Sequence, residues 1–173
     1  GSGKNEIGDR REIVGHVAGL GAGCTRFDIG QRVGIGWIFS SDGNEDENLS
    51  EQFRATGRDV NGGYAEYVVV PERYAYPIPA IFTDAEAAPL LCAGGVGYRA
   101  LRLAGIRDGE ILGLTGFGGS GHLVLQLAKH LYPASRVFVF ARSAGERAFA
   151  LELGADWSGD TGDMPPDAPH AII

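Results

Sequence analysis

The stretch from Glu110 to Arg142 limits the fold more than any other part of the chain. An apolar run, Ile111-Leu112-Gly113-Leu114, enters a glycine cluster, Gly116-Phe117-Gly118-Gly119-Ser120-Gly121. Leu123, Val124, Leu127, Ala128 and Leu131 then share one helical face, and Pro133 stops the pattern. A second apolar run, Val137-Phe138-Val139-Phe140, completes a strand–helix–strand unit of ~30 residues, the size of one parallel crossover. Gly116, Gly118 and Gly121 have G-x-G-x-x-G spacing where a strand turns into a helix. There a missing Cβ permits the tight turn, close approach of backbone to a pyrophosphate, and close helix–strand packing. The helix start adds N–H groups and partial positive charge for phosphates. A tight turn without a ligand is the alternative in a chain with 28 glycines. The strand before and the helix after favour a dinucleotide on Gly116, Phe117, Gly118, Gly119, Ser120 and Gly121.

The end of the second strand indicates which dinucleotide. A site for NAD carries an acidic residue about 20 residues past the glycines, to accept from the ribose 2′-hydroxyl. At that distance from Gly121 stand Ala141, Arg142 and Ser143, with Arg147 one turn later. No carboxylate is there to repel a 2′-phosphate, and a guanidinium can grip one in bidentate fashion. Arg142 and Ser143 therefore predict NADP over NAD. A solvated loop cation is the plainer alternative for Arg142.

A net charge of −7 argues against nucleic acid or an anionic membrane as partner. The only two cysteines, Cys24 and Cys92, make no disulfide framework, and no apolar run reaches the ~18 residues of a membrane span. A cytoplasmic location is expected. From Glu12 to Val70 the alternation is that of β-structure: Ile13 to Ala18, Val33 to Trp37, and Tyr64 to Val70, with Gly-rich turns suggesting a partly closed barrel. The loop Ser40–Asn48 carries Asp42, Glu45, Asp46 and Glu47. It lacks the Gly and terminal Glu of a calcium loop and reads as a solvated acidic loop. Pro71, Pro77 and Pro79 mark a boundary, giving a β portion over residues 1–80 and an α/β portion over 81–173. Thr83-Asp84-Ala85-Glu86 reads as a capping box. Its helix should be interrupted near Pro89 and resume to Gly105. Another helix is expected from Glu146 to Leu153, and a strand at Ala171–Ile173.

Five motifs now stand in order: Glu12-Ile13-Val14-Gly15, Phe27-Asp28-Ile29-Gly30-Gln31-Arg32-Val33-Gly34, Gly62-Gly63-Tyr64-Ala65-Glu66-Tyr67, Ala88-Pro89-Leu90-Leu91-Cys92-Ala93-Gly94, and Gly116-Phe117-Gly118-Gly119. Together they resemble the zinc-containing alcohol dehydrogenases of the medium-chain dehydrogenase/reductase superfamily. The resemblance implies an α/β fold with a β portion: a partial GroES-like barrel followed by a truncated Rossmann domain. It implies a parent activity of hydride transfer between NAD(P) and an alcohol or aldehyde polarised by zinc.

The departures from the family pattern bear on chemistry. The family's catalytic zinc is held by a Cys, a His in a Gly-His-Glu triplet, and a second Cys or Asp. Here the triplet reads Arg10-Arg11-Glu12, so Arg11 replaces the His, and Cys92 is the residual ligand position. Glu12 is the expected second-sphere carboxylate. The lobe that should carry four structural cysteines is shortened to the acidic loop, with Ser50 in place of its last Cys. Zinc is therefore not expected. His16, His122, His130 and His170 do not make up the ligand set, and Arg11 is expected to leave Cys92 more thiolate-like than a plain buried cysteine. Measured against the family, both ends look truncated. Three readings stay open: a catalytically impaired homologue that retains NADP(H) binding, a zinc-independent NADPH-dependent reductase of the quinone reductase type, or a non-enzymatic module. A homo-oligomer is expected, because truncation would leave sheet edges to be covered by a second copy.

Overall fold

The computed structural model describes residues 11–173; Arg10, the first of the Arg10-Arg11-Glu12 triplet, lies outside the described residues. Two compact units make up the chain, one running to Cys92 and the other from Ala93.

The first unit holds β1 (Ile13–His16), β2 (Arg32–Ile35), β3 (Ile38–Ser40), β4 (Arg54–Ala55) and β5 (Ala75–Pro77). β1, β2 and β5 form an antiparallel sheet in that order, with Ile13 opposite Ile35 and Val33 opposite Pro77. β3 and β4 form a separate two-stranded ribbon. β5 was hidden in the sequence by its prolines. Pro77 is tolerated because β5 is an edge strand, where a missing N–H costs no ladder bond. Phe27, Val33 and Ala75 form the small core of this unit, with Val17 and Val70 packed against it.

The strand expected from Tyr64 to Val70 does not form. Alternation makes a strand only where a neighbour completes the ladder, and no described strand pairs with this segment. Tyr67 and Val69 face solvent instead, at 76% and 92% exposure, while Val70 packs against the small core.

Thr83 caps α1 (Asp84–Pro89) as the capping box requires. Glu86 N donates to Thr83 Oγ1 at 3.3 Å, and Thr83 N donates to the Glu86 carboxylate at 2.8 Å. At Pro89 the chain does not leave the helical path. It widens into a π-type turn over Leu90–Gly94, which relieves the clash between the proline ring and the preceding turn. Regular helix resumes as α2 (Gly95–Ala104) and stops at Gly105, whose φ of 64° is left-handed.

The second unit contains β6 (Ile111–Thr115), α3 (Gly121–Leu131), β7 (Arg136–Phe140), α4 (Ala144–Glu152), β8 (Trp157–Gly159) and β9 (Ala171–Ile172). The four strands are parallel in the order β8-β7-β6-β9. From β6 the chain steps outward through β7 to β8, then crosses to β9 on the other side of β6. That reversal is the switch point of a doubly wound Rossmann sheet, so the α/β fold with a β portion is the one observed. Leu112, Leu125, Val137 and Val139 are fully buried in its core. β8 escaped notice in the sequence because three residues ending in Gly carry no readable period.

Candidate functional site

The glycine loop leaves the carboxyl end of β6, beside the switch point, where doubly wound sheets bind ligands. Gly116 turns the chain with φ 84°, and its N–H donates to the Phe140 carbonyl at 2.8 Å, tying the turn to β7. A Cβ on Gly121 would meet the Gly116 carbonyl oxygen at 2.7 Å, so this glycine lets the loop close onto the start of α3. A Cβ on Gly118 or Gly119 would meet nothing within 4 Å. Those two glycines leave open backbone rather than packed backbone, which is what a pyrophosphate needs to approach closely. Ser120 makes no side-chain cap at the α3 start. His122 Nδ1 donates to the Gly118 carbonyl at 3.0 Å and so holds that oxygen back toward the helix. Phe117, which is buried, meets Phe149 of α4 edge-on at 5.8 Å, and the His122 ring lies 6.3 Å from the same Phe149. Neither His122 nor Phe149 was marked by sequence spacing; only the fold brings α4 over the loop.

At the end of β7, Ala141 is buried and its N–H donates to Gly159 at 2.9 Å. Arg142 is exposed, and its guanidinium has no partner among the described residues. Ser143 Oγ accepts from Glu146 N at 3.4 Å as the cap of α4, which leaves its O–H free to donate. Arg147 is not free. Its Nη1 donates to the carbonyls of Ala141 and Arg142 at 2.7 and 2.9 Å and lies 3.6 Å from the Asp160 carboxylate. The residues at this end of the sheet fit an adenine dinucleotide: open glycines for the pyrophosphate and an uncommitted guanidinium for a 2′-phosphate.

Arg11, Glu12 and Cys92 also come together, all within the first unit. The Cys92 thiol is pushed up, first by burial and next by the Glu12 carboxylate, with Arg11 opposing more weakly. Arg11 thus acts on the thiol in the expected direction, but burial and Glu12 outweigh it. A guanidinium has no lone pair to give a metal. Among the described residues no group of three or more His, Cys, Asp or Glu side chains is placed to hold a metal ion. In the acidic loop, Asp42 accepts from Asn44 N at 3.1 Å, and backbone and hydroxyl donors lower its carboxyl below the usual range. Ser50 Oγ accepts from Gln52 N at 3.2 Å. No helix among the described residues is long and apolar enough to cross a membrane.

Residues 10–80 match the family described as alcohol dehydrogenase GroES-like domain. A Mycobacterium tuberculosis protein named probable alcohol dehydrogenase AdhA is 43% identical over 173 residues, 94% of this chain and 49% of its own length. Among solved structures, a cinnamyl alcohol dehydrogenase of Sorghum bicolor has 32% identity and a TM-score of 0.78, covering 88% of this chain and 48% of that one. The CAD of Helicobacter pylori complexed with NADP(H) has 28% identity and a TM-score of 0.76, covering 87% and 47%. The chain thus spans about half the length of the relatives it matches.

Proposed function

Because the chain belongs to the alcohol dehydrogenase family of the medium-chain dehydrogenase/reductase superfamily, we propose that it binds NADP(H) and is impaired in zinc-assisted alcohol or aldehyde turnover. The observation that carries the binding is the pairing of open glycines 118 and 119 with the uncommitted Arg142 at the next strand end. The loop N–H groups and the α3 start hold the pyrophosphate, Ser143 donates to the ribose side, and Arg142 takes the 2′-phosphate. Bound, the cofactor supplies or accepts a hydride. The complex of the Helicobacter pylori relative with NADP(H) supports this reading. The impairment rests on Arg11, which stands where the family places a ligand histidine.

A charge-assisted contact is worth about 1.5–3 kcal/mol, so NADPH should bind about tenfold or more tightly than NADH. Calorimetry giving equal affinities would overturn the cofactor reading. Elemental analysis of the same sample should find less than one zinc per chain, and one tightly held zinc would overturn the impairment. The zinc-independent reductase remains a second reading, favoured by Arg11, whose fixed cation could polarise a carbonyl without metal. NADPH-dependent quinone turnover in a metal-free sample would establish it.

A further inference from the structure

Of the two arginines at the β7–α4 junction, one is free and one is bound down, and the bound one explains how the free one is presented. Arg147 sits one turn into α4, and a single nitrogen, Nη1, holds both the Ala141 and Arg142 carbonyls. Those carbonyls flank the peptide that fixes where the Arg142 side chain leaves the backbone. The same guanidinium lies within 3.6 Å of Asp160, which follows β8 at the same end of the sheet. Asp160 is half exposed, and an unbalanced negative charge at this end of the sheet would repel a 2′-phosphate. Ser158 Oγ donates to the Arg147 carbonyl at 3.0 Å and fastens α4 to β8 from the other side. Arg147 is thus three-quarters buried against its own loop, with 27% of its side chain exposed, and its position is set by the fold rather than by a ligand.

We propose that Arg147 is a positioning residue for 2′-phosphate recognition, fixing the loop that presents Arg142 and cancelling the charge of Asp160. This rests on the reading that the site takes NADP(H). It makes discrimination between NADP and NAD a property of two arginines with unequal tasks. Arg142 touches the phosphate, and Arg147 acts only through Arg142 and Asp160.

The test compares 2′,5′-ADP with 5′-AMP, which differ only in the 2′-phosphate, by calorimetry on the whole chain and on Arg142→Ala, Arg147→Ala and the double variant. The unaltered chain should prefer 2′,5′-ADP by about tenfold or more. Arg147→Ala should lose most of that preference while its 5′-AMP affinity stays within about twofold of the starting value. The double variant should lose no more preference than Arg142→Ala alone, because residues acting through one contact are not additive. Equal weakening of both nucleotides by Arg147→Ala would mean a structural role only and overturn the proposal. An unchanged preference would do the same, as would additive losses, which would make Arg147 a direct phosphate contact. Arg147→Met, which keeps the aliphatic stem, carries the same expectations if the alanine variant fails to fold. No preference in the unaltered chain would instead remove the NADP(H) reading, and this inference with it.

Discussion

Cys92 is where two neighbouring charges and a dielectric boundary compete, and the boundary decides the outcome. A thiolate must leave water to form in a half-buried site, and Glu12 adds repulsion. Arg11 is exposed, so solvent screens its attraction before it reaches the sulfur. Iodoacetamide alkylation of Cys92, followed against pH by peptide mass spectrometry, should therefore give an apparent pKa above the ~8.5 of a free thiol. Glu12→Gln should speed the reaction near neutral pH by lowering that pKa, and Arg11→Ala should slow it. A pKa below the free value would reverse the ranking of burial over Arg11. The sequence displayed all three residues, yet the sign of the shift depends on burial depth, which no spacing reveals. Arg147 teaches the same lesson. It stands one turn past Arg142 in the sequence, and only the loop carbonyls at 2.7 and 2.9 Å show it engaged by its own backbone.

At the scale of elements, the acidic loop between β3 and β4 has its own means of staying folded. Ser41 and Tyr74 are buried at 7% and 5% exposure, and their hydroxyls lie 2.6 Å apart. Ser41 Oγ donates to the Glu47 carboxylate. Arg73 donates to the Ser41 carbonyl at 2.7 Å and to the Tyr74 hydroxyl. This network ties the loop to the turn before β5, where a cluster of thiolates would otherwise be the natural crosslink. Leaving one buried partner unsatisfied costs about 1–3 kcal/mol, so Tyr74→Phe should lower the urea midpoint of the first unit by that equivalent. EDTA should leave the same midpoint unmoved, and a chelator-induced fall would mean that a metal shares the task. Whether an element could be read from sequence followed from how locally it is determined. β6, α3 and β7 were legible because each carries a full apolar period and Pro133 punctuates them. The segment Tyr64–Val70 misled because alternation records only a tendency to pair, and pairing is a property of two segments.

For the whole molecule, the two units are unequally supported, and each carries one of the two tryptophans. Trp37, in the first, meets Phe53 edge-on at 5.1 Å, while Trp157, in the second, meets Phe138 and Phe140 at 5.9 and 5.2 Å. The first unit gathers Phe27, Val33 and Ala75 into its buried cluster. The second packs Leu101, Leu112, Leu114, Leu125, Val137 and Val139, among others, between strands and helices. Stability follows buried apolar area, so the first unit should open at lower urea than the second. Trp37→Phe and Trp157→Phe variants leave one reporter each, and the Trp37 transition should precede the Trp157 transition. A ligand that binds only the folded form adds about 2.7 kcal/mol at one hundred times its dissociation constant. NADP⁺, which does not fluoresce, should therefore raise the Trp157 midpoint by that equivalent and leave the Trp37 midpoint in place, because the glycine loop and Arg142 belong entirely to the second unit. Coincident transitions that NADP⁺ moves together would mean that the units unfold as one body, and the separate ranking of their cores would fall.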